Sequence, residues 1–428
     1  MKLVSLTEKE FDSFVSNHSQ ATFLQSISWA ELKKENGWSH ELLGFKNKKE
    51  VIAATLLLSK QTPIKKKMFY APRGFIIDYH NKKLLEEFTL EVKKHVKENN
   101  GIFFKIDPYI MRLQRDIDGK VVEGGIDNSN VVKFLNKLGY KEKCAKPGQQ
   151  TLQSKWMYWI PLKNRTLDDV MKDMSSKTRQ MIRKNEKNGV VMSEGSYEEL
   201  EEFKNIMDHT GKRREFISRS LKYLQNMYKA FGNGKDVKLY FAELQIEKTL
   251  TTLKEEVKVL EDDYNKVISN IENGKAKMNE NKLKLKQDEI DRIKKRIEEY
   301  EALFSKHGSI LMLGGIMYFT YGKEVLSFIG GAYEEFLEFQ PFYTIHYEMI
   351  KYAIENGYEH YNFYGISSDL TPKDPMYGIY LFKKGFGGEV VELIGEYDYI
   401  VRPCYYLLYD ISYKIVHGLK KLKTKLHI

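Results

Sequence analysis

The sequence predicts an α+β protein of two successive mixed units, with a long helical hairpin inserted in the second. Three observations carry this expectation. Strand and helix signals alternate through residues 1–150, and the same order restarts at Thr151. Between Gln245 and Lys306, apolar residues recur at spacings of three and four, at Leu250, Leu253, Val257, Leu260, Tyr264, Val267 and Ile271, then at Leu283, Ile290, Ile293, Ile297, Tyr300 and Phe304. Strand-like runs, Val237–Glu243 and Ser309–Phe319, bracket that stretch.

A repeat of seven keeps one apolar seam toward a partner helix, which is coiled-coil patterning. Asn273-Gly274 between the two runs is turn chemistry, because glycine accepts positive φ without steric cost. The chain is therefore expected to fold back as an antiparallel hairpin, residues 243–306, whose arms of about 28 residues project roughly 40 Å. The flanking strands place this arm between neighbours of one sheet. It would serve either to dimerise the protein or to reach a large substrate.

In the first unit, Thr7 and Glu10 form a capping-box pattern that opens a helix to about Ser16. Trp29–Asn36 continues as a short helix closed near Gly37. Strands are expected at His40–Phe45, Val51–Ser59, Lys67–Tyr70 and Gly101–Ile106, the last ending at Pro108. Leu84–Glu98 and Asn130–Leu138 have helical periodicity. In the second unit, Trp156–Pro161, Val190–Ser193, Leu311–Thr320, Glu324–Ile329, His360–Tyr364 and Glu389–Ile394 read as strands. Leu167–Glu186, with basic residues Lys177, Arg179, Arg183 and Lys184, reads as one helix. Tyr197–Thr210, Ser220–Phe231, Phe342–Asn356 and Tyr377–Lys384 read as further helices. This order suits a duplicated acyltransferase unit of the GNAT type, spanning 1–150 and then 151–242 with 307–401.

Of the 428 residues, 42% are hydrophobic and 13% aromatic, a globular composition with room for two or three cores. A net charge of +10 favours anionic partners such as nucleic acid, phosphorylated precursors or an anionic membrane face. Cys144 and Cys404 stand far apart, in no metal-ligand spacing, and suit a reducing cytoplasm. The first ten residues lack the apolar run of a signal peptide, and runs such as Val51–Leu58 are too short to span a bilayer.

Several phrases, in order, resemble the FemABX (Fem/Mur-type) aminoacyltransferases that build peptidoglycan cross-bridges. They are Phe23-Leu-Gln-Ser with Trp29-Ala-Glu-Leu-Lys33, Tyr70-Ala-Pro-Arg-Gly-Phe75, Phe104-Lys-Ile-Asp-Pro108 and Arg213-Arg-Glu-Phe216. Gly330-Gly-Ala-Tyr333, Tyr361-Asn-Phe-Tyr-Gly-Ile366 and Tyr380-Leu-Phe-Lys-Lys-Gly-Phe-Gly-Gly388 follow. The resemblance runs from about residue 5 to about residue 400, and the inserted coiled coil marks one branch of the family. It implies two GNAT-like domains with a groove between them, and aminoacyl-tRNA as co-substrate without metal or other cofactor. An amine on the peptide stem of a lipid-linked or UDP-linked precursor would attack the aminoacyl ester. That chemistry needs two large anions positioned, an oxyanion stabilised and a proton removed.

By the same resemblance, Lys33 and Arg213 would bind precursor phosphates, with adjacent Arg214 as the fallback. Tyr70 and Arg73 belong to the Tyr-Ala-Pro-Arg-Gly phrase on the precursor side, where Phe75 stands in place of a proline common among relatives. Asp107 would face the groove and orient the attacking amine or accept its proton. Tyr333 would place a phenol in the groove. Phe382 and Lys383 would meet the tRNA acceptor end, the lysine on phosphate and the ring beside the terminal base. The amides of Gly385–Gly388 are expected to form an anion nest.

Residues 402–428, with Tyr405–Tyr409, Lys414 and Lys420–Lys425, read as a basic amphipathic helix. It would either pack on the body or dock at the inner face of the plasma membrane. The leading expectation is a tRNA-dependent transferase that pairs with itself or with related transferases. An acyl-CoA-dependent GNAT enzyme would need a CoA pyrophosphate loop, for which no good match is present. A non-enzymatic RNA-binding scaffold dimerised by its coiled coil is the third reading.

Overall fold

The computed structural model describes residues 1–143, 152–275 and 279–413. The chain opens with β1 (Val4–Ser5) and α1 (Glu8–Asn17), whose start is set by the expected capping box of Thr7 and Glu10. Then come α2 (Ile27–Lys34), β2 (Ser39–Asn47), β3 (Glu50–Gln61), β4 (Lys67–Ala71), α3 (Lys82–Glu98) and β5 (Gly101–Ile106). The chain continues through β6 (Met111–Gln114), α4 (Ser129–Leu138), β7 (Tyr140–Glu142) and β8 (Trp156–Pro161). Next are α5 (Leu167–Asp173), α6 (Ser176–Lys187), β9 (Val190–Gly195), α7 (Leu200–Arg214), α8 (Leu221–Ala230) and β10 (Val237–Gln245). The hairpin is α9 (Ile246–Glu272) and α10 (Glu280–His307). The chain returns through β11 (Ile310–Tyr321), β12 (Glu324–Ala332), α11 (Pro341–Glu355), β13 (His360–Gly365), α12 (Tyr377–Lys384), β14 (Glu389–Leu393) and β15 (Tyr397–Ile400). A last helix covers 403–413.

Two sheets result, a 7-stranded one in the order β1-β2-β3-β4-β5-β15-β7 and an 8-stranded one in the order β6-β14-β8-β13-β12-β11-β10-β9. Each is antiparallel except for one parallel pair, β4 with β5 and β12 with β13. This is the α+β arrangement of two mixed sheets that the element order predicts.

The sheets do not divide the chain at residue 150. β6 pairs with β14 in the second sheet, and β15 inserts between β5 and β7 in the first. Period-two alternation explains why β15 belongs there. Tyr399 stacks on Phe104 at 5.0 Å between ring centroids, while Asp398, on the other face, meets the Lys105 ammonium at 2.7 Å. The two sheets also share a core in which Phe23 stacks on Phe319 at 3.8 Å.

The single helix expected over Leu167–Glu186 is broken. Met174 is extended, and Ser175 caps α6 by accepting a hydrogen bond from Thr178 N at 3.1 Å. The hairpin grows directly from a strand pair, since Gln245 is the register partner of Ile310. Its arms run antiparallel, joined by Lys254–Glu301 at 2.7 Å, Lys294–Glu261 at 2.6 Å and Lys286–Asp263. Leu253, Ile293 and Tyr300 are buried in the main core of the second sheet, so the root of the arm is part of the body.

The described part of the C-terminal helix also belongs to the body. Tyr406 and Tyr409 pack on Phe103, each at 5.2 Å, and Tyr406 Oη donates to Asp398 at 2.7 Å. Leu407, Leu408 and Ile411 remain exposed. Lys414 and the Lys420–Lys425 run lie outside the described residues. Among the described residues no helix is long and apolar enough to cross a membrane.

Candidate active site

Because β4 and β5 run parallel, their C-terminal ends emerge at the same edge. Tyr70 lies at the end of β4, Arg73 just beyond it, and Asp107 directly after β5. Arg73 has a left-handed backbone, φ 54°, and its N–H donates to Asp107 Oδ1 at 2.7 Å. Its guanidinium donates to Ser154 O at 2.8 Å, lies 3.8 Å from Asp107 Oδ2 and sits 5.3 Å from the centre of the Tyr109 ring. Both residues of the pair are only 3% exposed. Burial raises Asp107, and neighbouring Arg73 only partly offsets it, leaving the carboxyl at about 6. Its Oδ2 accepts no hydrogen bond among the described residues. Burial and the Asp107 carboxylate together raise the Tyr70 phenol.

The turn that presents Arg73 is held from behind by Gln25, which is fully buried. Gln25 Nε2 donates to Pro72 O at 2.7 Å, and its Oε1 accepts from Leu56 N at 2.7 Å. A Cβ on Gly74 would stand 2.7 Å from Gln25 Nε2, which explains the glycine after Arg73. The Gly74–Phe75 peptide is cis, and Phe75 is buried.

A second group, of which the phrases read in the sequence cover only Asn362 and Tyr364, joins this one from the other sheet. Glu324 opens β12 and accepts from Tyr109 Oη at 2.6 Å and from Asn362 Nδ2 at 2.7 Å. Burial raises its carboxyl. Parallel pairing of β12 with β13 extends only from Glu324–His360 to Leu326–Asn362, and beyond it the strands part. Past that split, Tyr364 has φ 65°, a left-handed conformation costing a non-glycine residue about 1–3 kcal/mol. Its N–H donates to Asn362 Oδ1 at 2.7 Å, and its phenol donates to Gln153 at 2.9 Å.

Lys383 completes the chain of contacts. Its ammonium donates to Gly365 O at 2.6 Å and to Tyr364 O at 3.4 Å. Burial lowers it to about 7. Asp107, Arg73, Tyr109, Glu324, Asn362, Tyr364 and Lys383 are thus joined in one polar path between the two sheets.

The other expected residues fall elsewhere. Phe382 packs on Tyr343, His346 and Phe386 at 5.1, 5.6 and 5.4 Å, so its ring is half-buried in an aromatic cluster. His346 is held neutral, pushed to about 3 by burial and by the nearby Lys383 charge. Tyr333 turns to α7, donating to Glu202 at 2.7 Å with its ring 5.0 Å from His209. The Gly385–Gly388 loop is not an anion nest. The amides of Gly385, Phe386 and Gly387 donate to the carbonyls of Leu381, Lys383 and Lys384, closing the end of α12.

Lys33 lies over the Trp29 ring at 4.2 Å. Burial, then the charges of Arg219 and Lys60, lower it to about 8. Arg213 is half-buried in the last turn of α7 with its Nε unpartnered, whereas Arg214 is exposed. Arg219 borders a cleft of about 360 Å³ with Met207, Phe216, Ile217, Leu224 and Ile329. Arg219 and Lys60 thus lie close enough to Lys33 to act on its charge, a basic grouping that sequence reading misses. Tyr364 feels the charges of Arg73, Asp107, Glu324 and Arg219, which puts it where the two groups converge. Among the described residues no cluster of three or more His, Cys, Asp or Glu is placed to hold a metal ion.

A model described as the FemAB family matches residues 6–414. Aminoacyltransferase FemA of Staphylococcus aureus, from the bovine strain RF122 / ET3-1 and from strain N315, is in each case 32% identical to this chain over 431 residues, covering 100% of both proteins. A crystal structure of FemX superposes with a TM-score of 0.83 at 28% identity, covering 96% of this chain and 100% of that one.

Proposed function

The chain belongs to the FemAB family and is an aminoacyltransferase, and from that premise we propose that it moves one amino acid from aminoacyl-tRNA onto the peptide stem of a peptidoglycan precursor. Glycine, alanine and serine are the candidates, and the product extends the interpeptide bridge. The observation that carries this reading is the Asp107 carboxyl, raised to about 6 and held beside Arg73 at the meeting of the two sheets.

In the step, the stem amine attacks the ester carbonyl carbon of the charged tRNA. A C–N bond forms, the C–O bond to the terminal ribose breaks, and the ribose hydroxyl leaves. Asp107 Oδ2 takes the proton of the attacking nitrogen, and the departing ribose oxygen receives one in turn. A carboxylate near 6 is mostly ionised at neutral pH yet basic enough to share a proton, which suits general-base work. Arg73 holds Asp107 by a backbone donor, so the carboxylate keeps its orientation as charge changes.

Lys383 is assigned to the acceptor-end phosphate of the tRNA, which requires it to leave Gly365 O when the anion arrives. Lys33, with Lys60, Arg219 and Arg213, is assigned to the phosphates of the precursor, lipid-linked or UDP-linked. Tyr333 is paired with Glu202 and takes no part in the bond changes. A net charge of +10 supports two polyanionic substrates. The lipid-linked form would place the enzyme peripherally at the inner membrane face.

The test is to incubate the protein with purified precursor and a pool of charged tRNAs, then weigh the precursor. A gain of one amino-acid residue mass, absent when acyl-CoA replaces the tRNA, is expected. Modification by acyl-CoA alone would replace this reading with that of an acyl-CoA transferase.

A further inference from the structure

We infer that the exposed face of α6 is a docking track for the sugar-phosphate backbone of RNA entering the site, an inference that rests on the tRNA reading above. Lys177, Gln180, Lys184 and Lys187 follow one another at helical spacing, with Arg183 beside them, and all five are exposed. None of these side chains makes an ion pair or hydrogen bond among the described residues. By contrast, Arg179 is occupied, donating to Met171 O at 3.1 Å and to Met174 O. Glu186 is the only acidic residue in α6.

The placement of the helix gives this charge a direction. At its start, Ser175 N donates to Gly385 O at 2.8 Å, two residues after Lys383 on the chain, so the track begins beside the site assigned to the charged 3′ end. At its far end, Arg296 of α10 donates to Lys187 O at 3.1 Å, and Tyr300 donates to Asn188 O at 2.7 Å, so the track ends against the root of the hairpin. The helix spans roughly 17 Å between those points, at about 1.5 Å per residue. On the hairpin, Lys254, Lys286 and Lys294 are already paired with acidic residues of the opposite arm. Among the described residues α6 therefore carries unpaired cations between the site and the arm, and the arm adds further unpaired ones such as Lys258, Lys266 and Lys282. A row of unpaired lysines and arginine matches a phosphate backbone, which binds by charge and releases counterions.

The experiment uses the triple variant Lys177→Gln, Lys184→Gln and Lys187→Gln in the full chain. Its charge-matched control is Lys83→Gln, Lys94→Gln and Lys97→Gln on α3 of the other sheet. Binding of uncharged tRNA is measured across a salt series, and transfer is measured from charged whole tRNA and from a charged dinucleotide. The triple variant should bind tRNA on the order of tenfold more weakly, with a log–log salt slope shallower by about two to three units. It should transfer from the dinucleotide at the wild-type rate, and the control should match wild type throughout. An unchanged salt slope in the triple variant, while wild type still transfers from charged tRNA, overturns the track and leaves the function standing. Loss of binding to anionic phosphatidylglycerol vesicles with tRNA binding intact overturns it in favour of a membrane face. Failure of wild type to bind tRNA or use either charged RNA overturns both inferences.

Discussion

The backbone N–H of Arg73 donates to Asp107 Oδ1 at 2.7 Å while Oδ2 of the same carboxylate accepts nothing among the described residues. One oxygen is anchored by a group that cannot titrate, and the other faces the Arg73 guanidinium at 3.8 Å, without a close hydrogen bond. Replacing Arg73 with Lys keeps a charge and the backbone donor but loses the fork that reaches Ser154 O. Turnover is then expected to fall around a hundredfold through misplacement of about 1 Å, with the fold retained. Arg73→Ala should be worse, destabilising by about 3–5 kcal/mol because it leaves the buried carboxylate without its cation. Urea unfolding of the two variants separates the effects.

Tyr109 and Glu324 supply a second test. Tyr109→Phe removes a 2.6 Å donor from a carboxylate that burial already raises. The cost should be about 1–3 kcal/mol. The sign of its pH dependence follows from the shift. Loss of the donor raises the folded carboxyl further above its unfolded value, so the folded variant holds its proton more tightly. The penalty should therefore be small below the unfolded value, near 4, and grow as pH rises through the folded one. Equal destabilisation at pH 4 and pH 7 would mean the phenol acts by packing alone.

Lys383 is not a solvated helix-end lysine, since its ammonium is buried against Gly365 O. Lys383→Met keeps the stem and removes the charge. The salt slope of tRNA binding should flatten by roughly one unit, with precursor binding unchanged. Loss of precursor binding with an unaltered tRNA slope would exchange the assignments of the two grooves.

The arm should be divisible. Leu253, Ile293 and Tyr300 lie in the main core, so replacing everything from Leu250 to Phe304 would strip the body. Removing residues 264–286 and closing the arms with a short Gly-Ser turn should instead leave cooperative unfolding intact. Activity with whole tRNA should drop while that with a charged dinucleotide holds. Equal loss with both substrates would make the outer arm structural.

Much of this architecture is legible in the residues. Long periodic segments such as Lys82–Glu98 and the hairpin arms show themselves by spacing, and the Thr7–Glu10 box by residue type. Two features are not legible. β15 and β6 are four-residue strands, too short for their alternation to stand out in the sequence, and their exchange between sheets depends on partners far away in the chain. Of the candidate site, Tyr70, Arg73 and Asp107 sit together because parallel neighbours share an edge, as motif order suggests. Glu324, Tyr109 and Tyr364 escape notice because nothing local marks a glutamate that opens a strand as buried, or a tyrosine as left-handed. The phrase Tyr361–Ile366 was the available signal for Tyr364.

Asp107 as the proton acceptor is the centre of the mechanism. The measurement is the pH dependence of single-turnover transfer from charged tRNA, for wild type and Asp107→Asn at saturating precursor. Wild type should rise with pH through about 6, where Asp107 ionises, and should fall above about 7 if the Lys383 cation is needed. Asp107→Asn should be slower by about 10²–10⁴ and should lose the rising limb. A variant that is merely slower, with the limb near 6 unchanged, would show that another group takes the proton and that Asp107 only positions Arg73.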